Sequence, residues 1–178
     1  AMESLALNKK GDKLLYQDKK GYEDPWRKHH QSSITRDIWL CTLGPERSFQ
    51  KITSFKGEDR NPVWAADGSS FYYLSEEKGS FNIFKNDLTG KSSWQITNHT
   101  THPVRFLTSD SNGNLCYGYD GEIYTVKEGA QPKKVDVRII SDKVENDLIH
   151  QLKTSGATDI AISPNGKEVA FIVRGDVY

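Results

Sequence analysis

A unit of four short strands recurs along this 178-residue sequence, and this repeat constrains the fold more than any other feature. Residues 61–97 contain four stretches of four to six residues that favour β-structure, separated by turns such as the one at Gly68. This pattern is typical of an antiparallel meander. The turn glycine recurs as Gly113, 45 residues further on. Four strands with a period of about 40–45 residues predict the blade of a β-propeller.

Several independent sets of positions repeat at a similar spacing. Turn glycines recur at Gly11, Gly68, Gly113 and Gly166. Third-strand isoleucines recur at Ile38, Ile83 and Ile123. The fourth strand recurs as Q-K-I-T from Gln50 and as W-Q-I-T from Trp94. Because these positions agree, the repeat favours a propeller over an irregular β-sandwich with chance spacings.

The predicted fold is all-β: a partial β-propeller of three four-stranded antiparallel blades plus part of a further blade. Residues 1–137 contain the three blades, residues 138–155 interrupt the period, and the repeat restarts in residues 156–178. Since the interruption carries aliphatic as well as charged residues, we expect a linker that packs rather than a flexible tether. Propellers usually have about four to eight blades, so we expect this chain to be part of a longer protein.

Composition excludes several classes of partner. The sequence has 24 basic and 24 acidic residues, which gives a formal net charge of zero. Balanced charge offers no electrostatic case for binding nucleic acid. No apolar run approaches the roughly 20 residues of a membrane-spanning helix, so no membrane span is expected. Cys41 and Cys116 fall in different blades and are expected to be packed, reduced thiols.

The sequence contains no recognisable catalytic or cofactor-binding motif. There is no G-x-S-x-G nucleophile elbow, no P-loop and no G-x-G-x-x-G turn. The adjacent His29 and His30, and the pair His99 and His102, do not have the setting of a zinc site. We therefore expect no catalytic residue, cofactor or metal in this chain, and no hydrolysis by the chain alone.

One loop, residues 18–36, is unusually long and carries the conspicuous cluster of the sequence. Its candidate peptide-contacting residues are Trp26, Arg27, Lys28, His29, His30 and Arg36. Cations above an aromatic base would hold a peptide carboxylate, because arginine binds carboxylates bidentately. In the alternative interpretation Trp26 anchors the loop and the cations are solvated or pair with Glu23 and Asp24. The other tryptophans, Trp39, Trp64 and Trp94, occupy strand positions and are predicted to pack in the core.

The topology of a meander places the long loops together. The loops between second and third strands, and the connections between blades, lie on one face of the propeller, which we call the long-loop face. The short turns lie on the other face. Residues 18–36 and 138–155 belong to the long-loop face, so recognition is expected there.

Particular motifs carry a resemblance to a known family. The segment S-P-N-G-K-E-V-A-F from Ser163, followed by D-V-Y, together with the Q-I-T blade ending, resembles the TolB-like propeller repeat. A loop that contains Trp26 is followed by the segment T-R-D-I-W from Thr35 and then by a complete blade. This order is similar to the late blades of the six-bladed propeller in tricorn proteases. The break at residues 138–155 and the restart that ends in R-G-D-V resemble the passage into their seven-bladed propeller.

The resemblance covers essentially the whole chain and implies the N-terminal propeller region of a tricorn-like protease, a bacterial S41-type serine peptidase. It implies that residues 1–137 are the C-terminal half of a six-bladed-type propeller and that residues 156–178 begin a second one. Such propellers are non-catalytic and guide or filter oligopeptides, while the catalytic residues of the family lie in C-terminal domains. The partners implied are an oligopeptide substrate, the rest of the propeller and the catalytic domains. The compartment implied is cytoplasmic or periplasmic, and the bacterial relatives slightly favour the periplasm.

A second hypothesis is a TolB-like binding module, or a propeller fused to another hydrolase such as an amidohydrolase. A downstream PDZ-like segment and a tail-specific-protease domain would favour the first hypothesis. Under either hypothesis the open blade edges need cover. We expect a homo-oligomer, with a second copy paired about a two-fold axis, or residues 138–155 packed across an exposed blade face.

Overall fold

The computed structural model describes residues 1–22, 29, 31–140, 152 and 154–178. These residues form strands, turns and loops, and none of them lies in a helix, which confirms the predicted all-β class. Within this part of the chain, no helix is long and apolar enough to cross a membrane. The chain divides into two compact units, Ala1–Val137 and Arg138–Tyr178.

Three four-stranded antiparallel sheets make up the first unit, and in each the strands pair in chain order. Blade one consists of β1 (Met2–Leu7), β2 (Lys13–Asp18), β3 (Ile38–Thr42) and β4 (Ser48–Lys51). Blade two consists of β5 (Asp59–Trp64), β6 (Ser70–Ser75), β7 (Asn82–Asp87) and β8 (Ser93–Gln95). Blade three consists of β9 (Arg105–Ser109), β10 (Asn114–Tyr119), β11 (Glu122–Lys127) and β12 (Lys133–Lys134). The second unit contains a three-stranded antiparallel sheet of β13 (Ala157–Ile162), β14 (Val169–Val173) and β15 (Asp176–Val177). These sheets are the three blades and the partial further blade that the repeat predicts.

The repeated Ile-Thr pair at the blade ends closes the outer edge of the third strand. The backbone N–H of Ile38 donates to the hydroxyl of Thr53, and that of Ile83 donates to the hydroxyl of Thr97, both at 2.9 Å. Both threonines are buried. An unpaired backbone N–H at such a site would be costly, so the hydroxyl satisfies a donor that the short fourth strand does not reach.

The first strand of each blade carries a β-bulge. These inner strands, β1, β5 and β9, contact one another in the order β1, β5, β9. Each contains one residue in the left-handed region, namely Ser4, Asn61 and Phe106, with φ values of 50°, 55° and 56°. The strand register shifts at each of these positions. A bulge leaves its extra residue out of the ladder and bends the strand.

Two hydrophobic clusters join the three blades. One cluster joins blades one and two and includes Leu15, Ile38, Leu40, Phe71, Tyr73 and Phe84. The other joins blades two and three and includes Tyr72, Leu74, Ile83, Leu107, Leu115 and Tyr117. Successive residues of β6 therefore point to opposite neighbours, as the period of two in a strand requires.

The tryptophans do not all behave as predicted. Trp64 is half-buried, packs against the cluster between blades one and two, and its indole N–H donates to the carbonyl of Ala6 at 2.8 Å. Trp39 is half-buried, and its indole N–H donates to the Asp18 carboxylate at 3.2 Å. The prediction was wrong for Trp94, which is 41% exposed on the short outer strand β8. Its ring lies 5.2 Å from the Lys85 ammonium instead of entering a core.

Gly90 and Gly68 provide a matched test of turn geometry. Both have a left-handed backbone, with φ values of 77° and 67°. A methyl group at Gly90 would collide with the carbonyl oxygen of Ile52, whereas one at Gly68 would meet nothing within 4 Å. We expect Gly68→Ala to cost about 1–2 kcal/mol from backbone strain alone. Gly90→Ala should cost about 1–3 kcal/mol more, as overpacking does. Urea unfolding of both variants measures the difference, and equal losses would contradict it.

Asp59 gives the fold a pH dependence. This residue is 1% exposed, and one of its carboxylate oxygens has no hydrogen-bond partner among the described residues. Burial raises the pKa of Asp59 to about 7, although hydrogen bonds from Ser75 and Thr53 lower it in part. The folded chain therefore binds a proton more tightly than the unfolded chain, and the free energy of unfolding falls as pH rises from about 4 through 7.

We expect Asp59→Asn to remove this contribution. The variant should gain stability relative to the unmodified chain as pH is raised from 5 to 8, because the amide does not ionise. Urea unfolding across that pH range measures the effect. Asp136→Asn, at an exposed position, is the control and should leave the profile unchanged. A pH-independent difference between Asp59→Asn and the unmodified chain would refute a raised pKa.

Candidate functional site

Blade one contributes a long connection to the long-loop face. Residues 19–37 join β2 to β3, and the Thr35 hydroxyl donates to the carbonyl of Lys56, in the connection between β4 and β5, at 3.4 Å. Tyr22, which is described, is almost wholly exposed. Of the predicted site residues, Trp26, Arg27, Lys28 and His30 lie outside the described residues. His29 and Arg36 are described, and the structure gives them different environments.

His29 is exposed and tied to blade two through its backbone. Its N–H donates to the Glu76 carboxylate at 2.7 Å, and its ring nitrogen Nδ1 lies 3.9 Å from the same oxygen. His29 has a left-handed backbone with φ of 52°. The buried Glu76 therefore holds the end of the candidate loop against the neighbouring blade.

Arg36 is buried in an ion-pair network. Its Nη1 donates to Glu58 at 2.6 Å, and its Nε lies 3.4 Å from Glu3. Burial alone would lower the pKa of Arg36, but the hydrogen bond and charge of Glu58 outweigh it and the pKa is raised. This guanidinium links the inner strand of blade one to the start of blade two through its Nε and Nη1 atoms.

A polar cleft lies at the base of the same loop. The cleft has a volume of about 400 Å³, and we call it the loop-base cleft. Its lining consists of Lys20, Gln31, Ser32, Ser33, Thr35, Asp37, Lys51, Ser54, Phe55 and Lys56. Three of these residues are lysines and one is an aspartate. Gln31 also lines a smaller cleft with His29, so the loop-base cleft adjoins the described end of the candidate loop.

The aspartate of the loop-base cleft organises two of its lysines. Asp37 is buried, and its Oδ2 lies 2.6 Å from Lys20 Nζ and 2.8 Å from Lys51 Nζ. Lys20 also donates to the carbonyl of Thr35 at 2.7 Å. Burial alone would lower the pKa of Lys20, but the hydrogen bond and charge of Asp37 raise it above its usual range. The Asp37 carboxylate therefore holds both ammonium groups at the base of the loop.

The histidines of the connection between blades two and three pack against aromatic rings. His99 stacks on Tyr119 with ring centroids 3.8 Å apart, and its Nε2 lies 3.0 Å from the Tyr117 hydroxyl. Burial lowers the pKa of His99. His102 lies 3.3 Å from the Asp120 carboxylate. Within the described ranges, no group of three or more histidine, cysteine or acidic side chains is placed to hold a metal ion.

The loop-base cleft was missed by sequence reasoning because its residues come from three separate segments. Lys20 and Lys51 are 31 positions apart and no spacing rule connects them. The available signal was indirect: Lys51 belongs to the Q-K-I-T blade ending, and β4 pairs with β3 beside Asp37. Chemically, the cleft offers ammonium groups and hydroxyls, which suit a polar or anionic group of a ligand.

Two curated proteins are similar in sequence. No protein-family model matches the chain. The tricorn protease homolog of Saccharolobus solfataricus is 25% identical over 163 residues, which is 89% of this chain. The tricorn protease of Thermoplasma acidophilum is 25% identical over 159 residues, which is 88% of this chain. In each case the chain spans 14% of the length of the relative.

Solved structures agree on the fold. The crystal structure of the tricorn protease matches 96% of this chain and 16% of its own, with a TM-score of 0.67 and 22% identity. A putative TolB from Agrobacterium tumefaciens matches 72% of this chain and 47% of its own, with a TM-score of 0.58 and 17% identity. TolB from Acinetobacter baumannii matches 96% of this chain and 37% of its own, with a TM-score of 0.58 and 13% identity. In sequence and in fold, this chain is therefore similar to a tricorn-like protease propeller region with TolB-like repeats.

Proposed function

We propose that this chain is a non-catalytic propeller segment of a tricorn-like serine peptidase of the S41 type. In this proposal it guides or filters oligopeptides on their way to a catalytic domain elsewhere in the full-length protein. The observation that carries the proposal is 25% identity to a tricorn protease homolog along 89% of the chain. The β-propeller fold supports it, because propellers present their loops on a rigid scaffold.

The long-loop face supplies the chemistry for peptide contact. The loop-base cleft presents Lys20 and Lys51, both held by the buried Asp37, together with serine hydroxyls. We propose that the candidate peptide-contacting residues bind a peptide beside this cleft. These residues are Trp26, Arg27, Lys28, His29, His30 and Arg36. In that group Arg36 would act by fixing the loop end, since its guanidinium is bound to Glu58. A peptide would then meet fixed cations instead of flexible ones.

The domain organisation that fits this proposal has three parts. Residues 1–137 would be the C-terminal half of a six-bladed-type propeller, residues 138–155 an inter-propeller linker, and residues 156–178 the start of a second propeller. The described aliphatic residues of the linker, Ile139, Ile140 and Leu152, are each at least 85% exposed. Such exposure suits a segment that is covered by another part of a larger protein.

Blade one offers a surface for such a neighbour. Leu7 and Phe49, on its side away from blade two, are more than half exposed. The residues of blade two that face the same direction, Phe71 and Tyr73, are buried against blade one. We propose that a further blade of the parent protein covers this side of blade one, and that a second copy of the chain takes its place in a homo-oligomer of the isolated chain.

A TolB-like binding module is the second candidate function. Two TolB structures share the fold over most of this chain at TM-scores of 0.58. In that case the long-loop face would dock a protein partner and no catalytic domain would follow. The gene downstream of residue 178 separates the candidates, because a PDZ-like segment and a tail-specific-protease domain belong only to the peptidase.

Removing two cations from the candidate loop tests peptide handling. We expect Arg27→Ala combined with Lys28→Ala to change peptide cleavage by the full-length enzyme. The melting temperature of the chain should be almost unchanged, because surface substitutions usually cost less than about 0.5 kcal/mol. Cleavage kinetics on oligopeptides and thermal unfolding measure the two effects.

The matched control removes the same charge from the opposite face. Lys9 and Lys10 are exposed in the turn between β1 and β2, so Lys9→Ala with Lys10→Ala should leave cleavage unchanged. If the loop variant loses stability while cleavage stays normal, the loop is a structural brace and the guiding role is wrong.

The isolated chain should not hydrolyse peptides. A serine hydroxyl is a weak nucleophile unless a base activates it, and the sequence contains no nucleophile motif. Incubation of the purified chain with oligopeptides, followed by mass spectrometry, should show no cleavage. Turnover that a point substitution within residues 1–178 abolishes would contradict this assignment and place catalysis in the chain itself.

A further inference from the structure

Each blade carries an aromatic pair at the same place on its two middle strands. A tyrosine of the second strand pairs across the sheet with an aromatic residue of the third strand: Tyr16 with Trp39, Tyr73 with Phe84, and Tyr117 with Tyr124. The third-strand residue immediately before each aromatic residue is an isoleucine: Ile38, Ile83 or Ile123. Successive residues of a strand point to opposite faces of the sheet. Every blade therefore has one face with the aromatic pair, the aromatic-pair face, and one face with the isoleucine, the isoleucine face.

Both contacts between blades of the first unit join unlike faces. At the contact between blades one and two, Ile38 lies in the same hydrophobic cluster as Tyr73. At the contact between blades two and three, Ile83 lies in the same cluster as Tyr117, and Tyr124 packs against that cluster. The isoleucine face of one blade therefore packs on the aromatic-pair face of the next blade, twice in succession.

The two terminal blades of the first unit each present one of these faces to solvent. On blade one it is the aromatic-pair face, where Leu7 and Phe49 are more than half exposed and Trp39 is half-buried. On blade three it is the isoleucine face, where Phe106 is 71% exposed and Ile123 is 46% exposed. The two exposed faces are therefore the two partners of a contact that the chain already makes twice.

Blade three also has a cleft on its isoleucine face. The second-strand residues that pair with the three isoleucines are Gln17, Leu74 and Gly118. Gln17 accepts a hydrogen bond from the backbone N–H of Asn61 at 2.8 Å, so this position contacts the inner strand of the following blade. Gly118 has no side chain at the same position, and with Phe106 and Ile123 it lines a cleft of about 540 Å³. The cleft can therefore receive a side chain from an inner strand.

The inner strand of blade one carries an exposed leucine that suits this cleft. Leu5 and Leu107 each follow the left-handed residue of their bulge, so they occupy equivalent places. Leu107 is 2% exposed and lies in the cluster with blade two, whereas Leu5 is 61% exposed. A leucine at this place is therefore buried when a preceding blade packs against it.

We infer that a second copy of the chain covers both exposed faces, so that two copies form a closed ring of six blades about a two-fold axis. In each contact the aromatic-pair face of blade one packs on the isoleucine face of blade three of the other copy, and Leu5 enters the cleft at Gly118. This inference rests on the proposed six-bladed-type organisation and homo-oligomer, and it names the surfaces that form the contact.

The ring accounts for both exposed faces with a contact of known type. Three blades are half of a six-bladed ring, so a two-fold rotation closes it, whereas a head-to-tail contact that did not close would give open polymers. Closure forms two equal contacts, and the second of them is intramolecular once the first has formed. Two moderate contacts therefore stabilise the dimer more than one contact would.

The test is sedimentation equilibrium of the purified 178-residue chain over a range of concentrations. We expect a concentration-dependent dimer and no larger species. Phe49→Lys on blade one and Ile123→Lys on blade three should each weaken dimerisation at least tenfold, because each buries an unpaired ammonium group in both contacts of the ring. Both side chains are about half exposed in the single chain, so circular dichroism should report folded variants. Leu7→Lys replaces Phe49→Lys if that variant does not fold.

A matched control places the same charge in the second unit. Ile160 is exposed in β13, and Ile160→Lys should leave dimerisation unchanged. Loss of the dimer in this variant would assign the contact to the second unit and overturn the ring.

A mixture of two variants tests the head-to-tail arrangement directly. In a ring formed by one Phe49→Lys copy and one Ile123→Lys copy, both charges fall in the same contact and the other contact is intact. The mixture should therefore dimerise more tightly than either variant alone.

The outcomes separate this inference from the function proposed above. If Phe49→Lys weakens the dimer and Ile123→Lys does not, blade one pairs with blade one, so the homo-oligomer stands and the ring is wrong. Open polymers of the unmodified chain would also overturn the ring. A chain that stays monomeric at every concentration contradicts both the ring and the homo-oligomer. None of these results changes the proposed role in peptide handling, which the cleavage kinetics of the full-length enzyme test.

Discussion

The structure depends on the burial of both faces of blade two. A single four-stranded sheet exposes two faces, and here Phe71 and Tyr73 enter the cluster with blade one while Tyr72 and Leu74 enter the cluster with blade three. Each large apolar side chain contributes roughly 1.5–3 kcal/mol when it is fully buried. Because β6 carries large apolar or aromatic side chains on both of its faces, each face must pack against a neighbouring blade. The sequence of β6 therefore requires a repeated sheet. Many polar groups of the first unit lie on the inner strands, at strand ends and in the loops, although Lys85 and Asn86 are buried within β7.

A few buried side chains hold several of these polar groups in place through ion pairs. Arg36 joins Glu3 to Glu58, and Asp37 gathers two lysines at the base of the long loop. These are adjacent residues immediately before β3, and both are buried. Removing one partner of a buried ion pair is costly because it leaves an uncompensated charge. The same two positions therefore connect the blades and fix the cations of the long-loop face, which ties the proposed recognition surface to the packing beneath it.

The parts of the structure that could be predicted are those that local sequence specifies. Turn glycines such as Gly68 mark each blade because a left-handed turn restricts the residue locally, and the third-strand isoleucines Ile38 and Ile83 are fully buried. The environment of Arg36 could not be read from the chain, since its partner Glu58 belongs to the connection into the next blade. Trp94 was misplaced for a related reason: its strand was recognised, but the exposure of β8 depends on its position at the outer edge of the sheet.

The zero net charge of this chain indicates less about the ligands it could bind than the positions of its charged side chains do. Opposite charges cancel over the whole molecule, but screening limits electrostatic influence to about 8 Å at physiological ionic strength. A ligand group in the loop-base cleft meets three lysines with one aspartate. The balancing carboxylates, such as Glu58 and Glu76, are used inside the structure to hold strands and loops. Because these carboxylates make internal contacts while lysines line the loop-base cleft, a formally neutral propeller presents a locally cationic surface to a small ligand there.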